Sequence, residues 1–366
     1  MEARRAHLPP ERFDVRISEP GEIAAALPVL LGFRPQESVV LVSLTGPSGG
    51  RVGLTVRGDL PPPDGAAAAA AALVRSVGTD DPCGVLVAVV SEAPDVPSAG
   101  RAANGDGGPP GLPHRALVRE LVVALAADGV PVREALLVRD GRWWSYDCPH
   151  PCCAPGAGTA LPEGVTPLEA ASVATGTVVE RDRGDLVRRI SGPPGTPGPV
   201  MAAVCALVGA ECAARIGDVG ADVVAEESWS AVTAAVARCR PAGRATGLTD
   251  EEVARVAWGL RDRDVRDRAL ELAVGDDAPA AEILWTGCTR RTPAPLDAAP
   301  ATMLAVSAWL RGDGAMANVA LARALASDPA YALARLLAQA LAQCVPPSDL
   351  RTIIAGTVPR GRRVGR

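Results

Sequence analysis

Cysteine and histidine crowd into one stretch, Cys148-Pro149-His150-Pro151-Cys152-Cys153, which holds three of the nine cysteines and one of the three histidines in a chain of 366 residues. Thiolates and imidazoles ligate soft divalent metals, and thiolates also carry reversible redox chemistry. Cys148, His150, Cys152 and Cys153 would give zinc three sulfurs and one nitrogen, a complete tetrahedral set. Two features oppose it. Neighbouring residues in extended chain point to opposite sides, so Cys152 and Cys153 reach one ion only through a sharp turn. Pro149 and Pro151 stiffen the backbone around His150, and Cys83 or a carboxylate could serve in its place. Two other readings stay open. Cys148 and Cys152 could close a reversible disulfide with Cys153 as the resolving thiol, or the cysteines could simply pack against Trp143, Trp144 and Tyr146.

The elements that position this stretch alternate between strand-like and helix-like patterns. Phe13–Ile17 alternates in period two. A helix is expected from Glu19 or Pro20 to Leu31, kinked at Pro28 and stopped by a left-handed Gly32. Ser38–Leu44 is nearly continuous apolar sequence, the mark of a strand buried on both faces, and Val52–Val56 pairs with it across a glycine-rich turn. A helix over 64–77, a strand over 85–90, a helix over 114–127 and strands over 134–139 and 142–146 follow, the last two joined at Asp140-Gly141. Residues 91–112 read as a flexible insertion. Helices near 166–174 and 182–190 complete an α/β N-terminal domain with a mixed sheet, residues 1–190.

Gly192–Pro199 reads as a linker over 191–199, after which the pattern is helical from 200 to 345, followed by a basic tail over 346–366. Thr249 and Glu252 form a capping box. Asp262–Arg266 and Asp264–Arg268 fall at i,i+4 and are expected to pair. The whole is an α/β N-terminal domain plus an all-helical C-terminal domain.

Composition narrows the function classes. The net charge of −5 provides no global field for nucleic acid. The N-terminal residues lack the apolar core of a secretory signal, and the apolar run Val200–Ala210 falls short of the roughly 20 residues of a membrane span. A cytoplasmic setting with reduced thiols is therefore expected. Arg57 and Asp59, at the end of a strand expected to be central, and Arg34, at the preceding junction, stand where α/β sheets bind ligands.

Near the C-terminus, helices over 302–311 and 315–327 and a third through Gln343 resemble one tetratricopeptide repeat. Gly312 and Asp313 match its turn, Ala317 and Ala324 its small packing residues, and Leu325, Asp328 and Pro329 its ending. Ala301 and Ala305 depart from it. Such a unit would offer its helices to a protein partner.

Four segments carry a wider resemblance. They are Leu30-Leu31-Gly32-Phe33-Arg34-Pro35-Gln36-Glu37-Ser38-Val39-Val40-Leu41-Val42, Trp143-Trp144-Ser145-Tyr146 through Cys152-Cys153, Arg181-Asp182-Arg183, and Ala308–Gly314 through Tyr331. Together they resemble an actinobacterial family termed domain of unknown function 4192. The resemblance implies an actinobacterial, intracellular origin, in keeping with 37 basic residues that are all arginine, and it brings no activity. The leading expectation is a cytoplasmic binding or regulatory protein engaging a protein or small ligand. The alternative is a metal- or thiol-dependent enzyme centred on Cys148–Cys153, with zinc as the candidate ion.

Overall fold

The computed structural model describes residues 19–47, 49–97, 111–174, 179–192, 198–240 and 247–357. The expected strand Phe13–Ile17, the body of the insertion, the middle of the linker and the end of the tail lie outside these residues. The chain divides into two compact units, Met1–Arg183 and Gly184–Arg366.

The first unit opens with α1 (Pro20–Leu31), whose Gly32 cap takes φ +76° and returns its N–H to Val29. Only glycine adopts that conformation without a Cβ clash, so the helix stops where the sequence says it should. Pro28 is accommodated inside the helix. Strands β1 (Ser38–Thr45), β2 (Arg51–Asp59), β3 (Gly84–Val90), β4 (Val132–Arg139), β5 (Arg142–Ser145) and β6 (Thr159–Ala160) form one sheet in the order β2-β1-β3-β4-β5-β6. The β3–β4 pair is parallel and every other pair antiparallel, which makes the sheet mixed.

Helices α2 (Ala66–Gly78) and α3 (Arg115–Ala127) cover one face. Their stripes Ala70, Leu73, Val74, Val77 and Leu117, Val118, Leu121, Leu125 share a core with Val39, Leu41, Val85, Val87, Val89, Ala135 and Leu137. Every second strand residue points that way. The intervening Val40, Val42, Leu86, Ala88 and Leu136 are buried as well, on the face that α1 approaches, with α4 (Pro167–Ala174) packed against α1. Both faces are therefore apolar, which explains the unbroken valine run of β1.

Registry fixes what each end of the sheet presents. Ser38 pairs with Asp59 and Val90, Val90 with Val138, and Arg139 with Arg142. One end thus gathers the start of β1 and the ends of β2, β3 and β4. The cysteine stretch leaves from the opposite end, because β5 runs antiparallel to β4 and Tyr146 N–H bonds to Ala135 O at 2.8 Å.

Among its described residues the second unit is wholly helical: α5 (Arg183–Ile190), α6 (Gly198–Val219), α7 (Ala221–Cys239), α8 (Asp250–Gly259), α9 (Arg263–Glu271), α10 (Ala278–Arg291), α11 (Ala298–Leu310), α12 (Gly314–Ser327), α13 (Ala332–Ala342) and α14 (Pro347–Thr357). The helices extend past the point where sequence suggests a tail: residues 347–357 form α14, and its Leu350 and Ile354 are buried. The capping box at Thr249 and Glu252 is present. The expected i,i+4 pairs of α9 are replaced. Asp262 caps the helix by accepting from the N–H groups of Asp264 and Val265, and Arg268 pairs with Glu226 at 2.7 Å across to α7.

Helix α11 is buried at all thirteen positions, enclosed by α9, α10, α12, α13 and α14. Helix α6 runs well past the apolar stretch Val200–Ala210 and corrects the expectation that this stretch is too short: with 22 residues and a window of mean hydropathy 1.7, it is long and apolar enough to cross a bilayer by length and composition. Its stripe of Met201, Cys205 and Val208 is buried, and Arg215 pairs with Glu227 of α7 at 2.7 Å.

Candidate metal centre

The chain leaves β5 through Tyr146, a residue fixed on three sides. Its hydroxyl donates to Pro113 O at 2.8 Å, its carbonyl accepts from Arg115 at 3.2 Å, and the Arg115 guanidinium stands over its ring. Burial pushes the Tyr146 phenol well above its ordinary range. Beyond Cys148 the backbone is extended at His150, and Pro151–Cys153 then turns in a single 3₁₀ turn. Proline at the first position of that turn presets the required φ. The turn answers the geometric objection to adjacent cysteines: it swings Cys152 and Cys153 onto one side of the chain.

The three sulfurs converge. Cys148 Sγ lies 3.9 Å from Cys152 Sγ, and Cys152 Sγ lies 4.0 Å from Cys153 Sγ. All three sit within 4.8 Å of one another. The three differ in exposure: Cys153 is buried, Cys148 half-buried and Cys152 exposed. Cys153 accepts the Ser145 backbone N–H at 3.2 Å, while burial pushes its thiol up to about 11. Cys148 is shifted the other way, chiefly by the His150 backbone N–H. Ser145 Oγ donates to Glu134 at 2.5 Å, which places a carboxylate beside the start of the turn.

After the turn the chain returns as β6, pairing with Trp143 and Arg142. Trp144 roofs this return, donating from Nε1 to Ala154 O at 3.3 Å with the Arg139 guanidinium 4.8 Å from its ring centroid. Gly158, at φ +72°, packs so closely that a Cβ would overlap the indole. The three-cysteine turn is thus clamped between β5, β6 and a buried tryptophan.

His150 does not join the sulfurs: it is exposed and outside the group of converging ligand atoms. Cys83 is also elsewhere, its Sγ donating to Leu44 O at 3.1 Å by the β1–β2 turn.

At the other end of the sheet, Arg57 lies on β2, which is an edge strand and not the central strand expected; it pairs with Asp59 at 2.6 Å and donates to Ser38 Oγ at 2.9 Å. Asp59 is largely exposed, and Arg34 is exposed with its backbone N–H on Glu180 O. The same end carries a relay that sequence reasoning missed. Ser91 Oγ donates to Glu37 Oε2 at 2.8 Å and lies 3.0 Å from His114 Nε2, while Glu37 Oε1 accepts the Glu92 N–H at 2.8 Å. Ser91 has one hydroxyl proton, committed to Glu37, so His114 Nε2 carries a hydrogen. Burial lowers the His114 pKa, opposed by the Glu37 charge. Glu37 and His114 both hold positive φ, 39° and 59°, a conformation that side chains adopt only when their surroundings fix it.

These bonds also locate the flanks of the expected insertion. Ser91 is buried, Val96 and Gly111 exchange two backbone hydrogen bonds of 2.8 Å, and Asp95 pairs with Arg139 at 3.0 Å. Residues 91–97 and 111–112 are therefore fixed structure and not loose chain.

A family model described as a domain of unknown function, DUF4192, matches residues 20–348. No curated protein matches the chain, and no solved structure matches it.

Proposed function

The chain belongs to the family defined by this domain of unknown function, DUF4192, and from that premise we propose a metal-binding regulatory protein centred on Cys148, Cys152 and Cys153. The observation that carries the reading is the sulfur triangle, with two sides of 3.9 and 4.0 Å and all three atoms within 4.8 Å. Thiolates bound to zinc at about 2.3 Å define a tetrahedron whose edges are about 3.8 Å. Small side-chain rotations close this triangle onto such an ion. The backbone N–H groups already directed at Cys148 and Cys153 suit thiolates, and such bonds persist around bound metal.

A zinc-class ion would supply a rigid cross-link at this turn. The residues do the rest. Cys153 anchors the centre to the core, Cys148 to the end of β5, and Cys152 leaves it open to solvent, so occupancy follows metal availability. Metal binding is coupled to ordering of the β5–β6 return. The expected cytoplasmic setting would keep the thiols reduced. A protein partner would meet the helical unit through α12 and α13, since α11 is enclosed.

The test is metal content. Protein purified under reducing conditions is loaded with zinc, freed of excess and assayed by elemental analysis beside the Cys148→Ser, Cys152→Ser double variant. One ion per wild-type chain, lost in the variant, supports the reading; a wild type that retains no metal overturns it.

A further inference from the structure

We propose that Cys148 and Cys152 form a reversible oxidation site, at which a hydroperoxide closes a disulfide and expels the bound ion. The release of metal rests on the reading above, whereas the disulfide itself does not.

Geometry selects the pair. Their sulfurs are 3.9 Å apart across the turn that begins at Pro151, already near the separation from which a bond of about 2 Å closes by side-chain rotation. Cys152 is exposed and reachable by a small oxidant, and half-buried Cys148 stands directly behind it. Cys153 is excluded on two counts. It is buried in the core and held by the Ser145 N–H. A bond between adjacent Cys152 and Cys153 would also close a small ring across one peptide unit, which distorts its plane.

The chemistry balances with one named co-reactant. The Cys152 sulfur attacks hydrogen peroxide and displaces one water, leaving a sulfenic acid. The Cys148 sulfur attacks that sulfenic sulfur, and the second water departs with the thiol proton. Two thiols, or two ion-bound thiolates together with two protons from solvent, lose two electrons, one peroxide gains them, and a disulfide and two waters result. With two of its three thiolates consumed, the centre keeps only Cys153, too few ligands to hold zinc. A dithiol reductant reverses the step.

The experiment uses zinc-loaded, full-length protein treated with graded hydrogen peroxide. Free thiols are alkylated in denaturant, the protein is reduced, newly freed thiols receive a second label, and both labels are assigned by mass spectrometry. Bound zinc is followed in the same samples. The expected pattern is equal second labelling of Cys148 and Cys152 and none of Cys153. Bound zinc falls at least tenfold in parallel, and dithiothreitol with zinc restores the starting state. Retained zinc with Cys148 still open to the first label overturns the proposal, as does a Cys152–Cys153 link. A Cys148–Cys152 link in protein that never binds zinc sustains the oxidation site while overturning the metal reading and its release. Cys153→Ser should keep the link and Cys152→Ser abolish it; if either fails to fold, the wild-type label pattern still decides.

Discussion

The Ser145 backbone N–H donates to Cys153 Sγ at 3.2 Å, tying the last residue of the cysteine turn to the last residue of β5. That bond makes one sulfur a fixed point, and the other two are brought to it by the Pro151 turn. Cys153 therefore belongs at once to the core and to the centre.

Ligand variants should separate accordingly. Cys152→Ser removes a triangle sulfur and should weaken zinc binding by more than about 100-fold, beyond the 10–100-fold typical of supporting groups. His150→Ala, at an exposed side chain outside the triangle, should change affinity by less than about threefold. Competition against a chromogenic chelator measures both. Equal losses would mean that the histidine is a ligand.

Gly158→Ala tests the clamp without touching a cysteine. The position needs φ +72° and has no room beside the Trp144 indole. Strain and overpacking together should destabilise the first unit by about 3 kcal/mol, read from urea denaturation followed by tryptophan fluorescence. The same variant should also bind zinc more weakly, because the turn it covers would be less ordered.

The relay at the opposite end of the sheet predicts a stability effect without a metal effect. Ser91→Ala leaves Glu37 and His114 without their shared partner and should cost about 1–3 kcal/mol. Zinc affinity should change little: the cysteines leave from the other end of the sheet, and the relay reaches them only indirectly, through the Pro113 and Arg115 contacts to Tyr146. A large loss of zinc would show that the two ends are coupled.

Alkaline pH probes the helical unit. Burial pushes the Cys288 thiol up to about 12, whereas an unfolded cysteine ionises near 8.5. A thiol whose folded pKa is raised favours the folded state below the unfolded value, and that stability is lost as pH climbs between the two. Stability should thus fall above pH ~8.5, with a slope approaching about 1.4 kcal/mol per pH unit from this thiol. Cys288→Ala should be less stable at neutral pH and show a shallower alkaline slope. Denaturant midpoints from pH 7 to 10.5 would measure it.

Local patterns were the legible part of this chain. The valine run of β1, Gly32 as a helix stop, the turn at Asp140-Gly141 and the Thr249–Glu252 box each announce themselves within a few residues, because each depends on local conformation or simple burial. The cysteine stretch was visible for the same reason. Its geometry was not: whether Cys152 and Cys153 face one way depends on a 3₁₀ turn anchored by Ser145 and covered by Trp144. Glu37, Ser91 and His114 gave no signal, since they come from three separate segments and only strand registry joins them. The left-handed Glu37 is equally silent, because glutamate is not among the residue types enriched at positive φ. α14 was hidden by its own sequence, whose short apolar face at Leu350 and Ile354 has meaning only once α11 is there to cover.

X-ray absorption at the zinc edge of the loaded, reduced protein tests the central claim most directly. The account predicts one ion per chain with three sulfur neighbours at about 2.3 Å and one lighter neighbour, and loss of sulfur scattering in the Cys148→Ser, Cys152→Ser variant. A zinc shell made only of nitrogen and oxygen, or a protein that takes up no zinc, would contradict it.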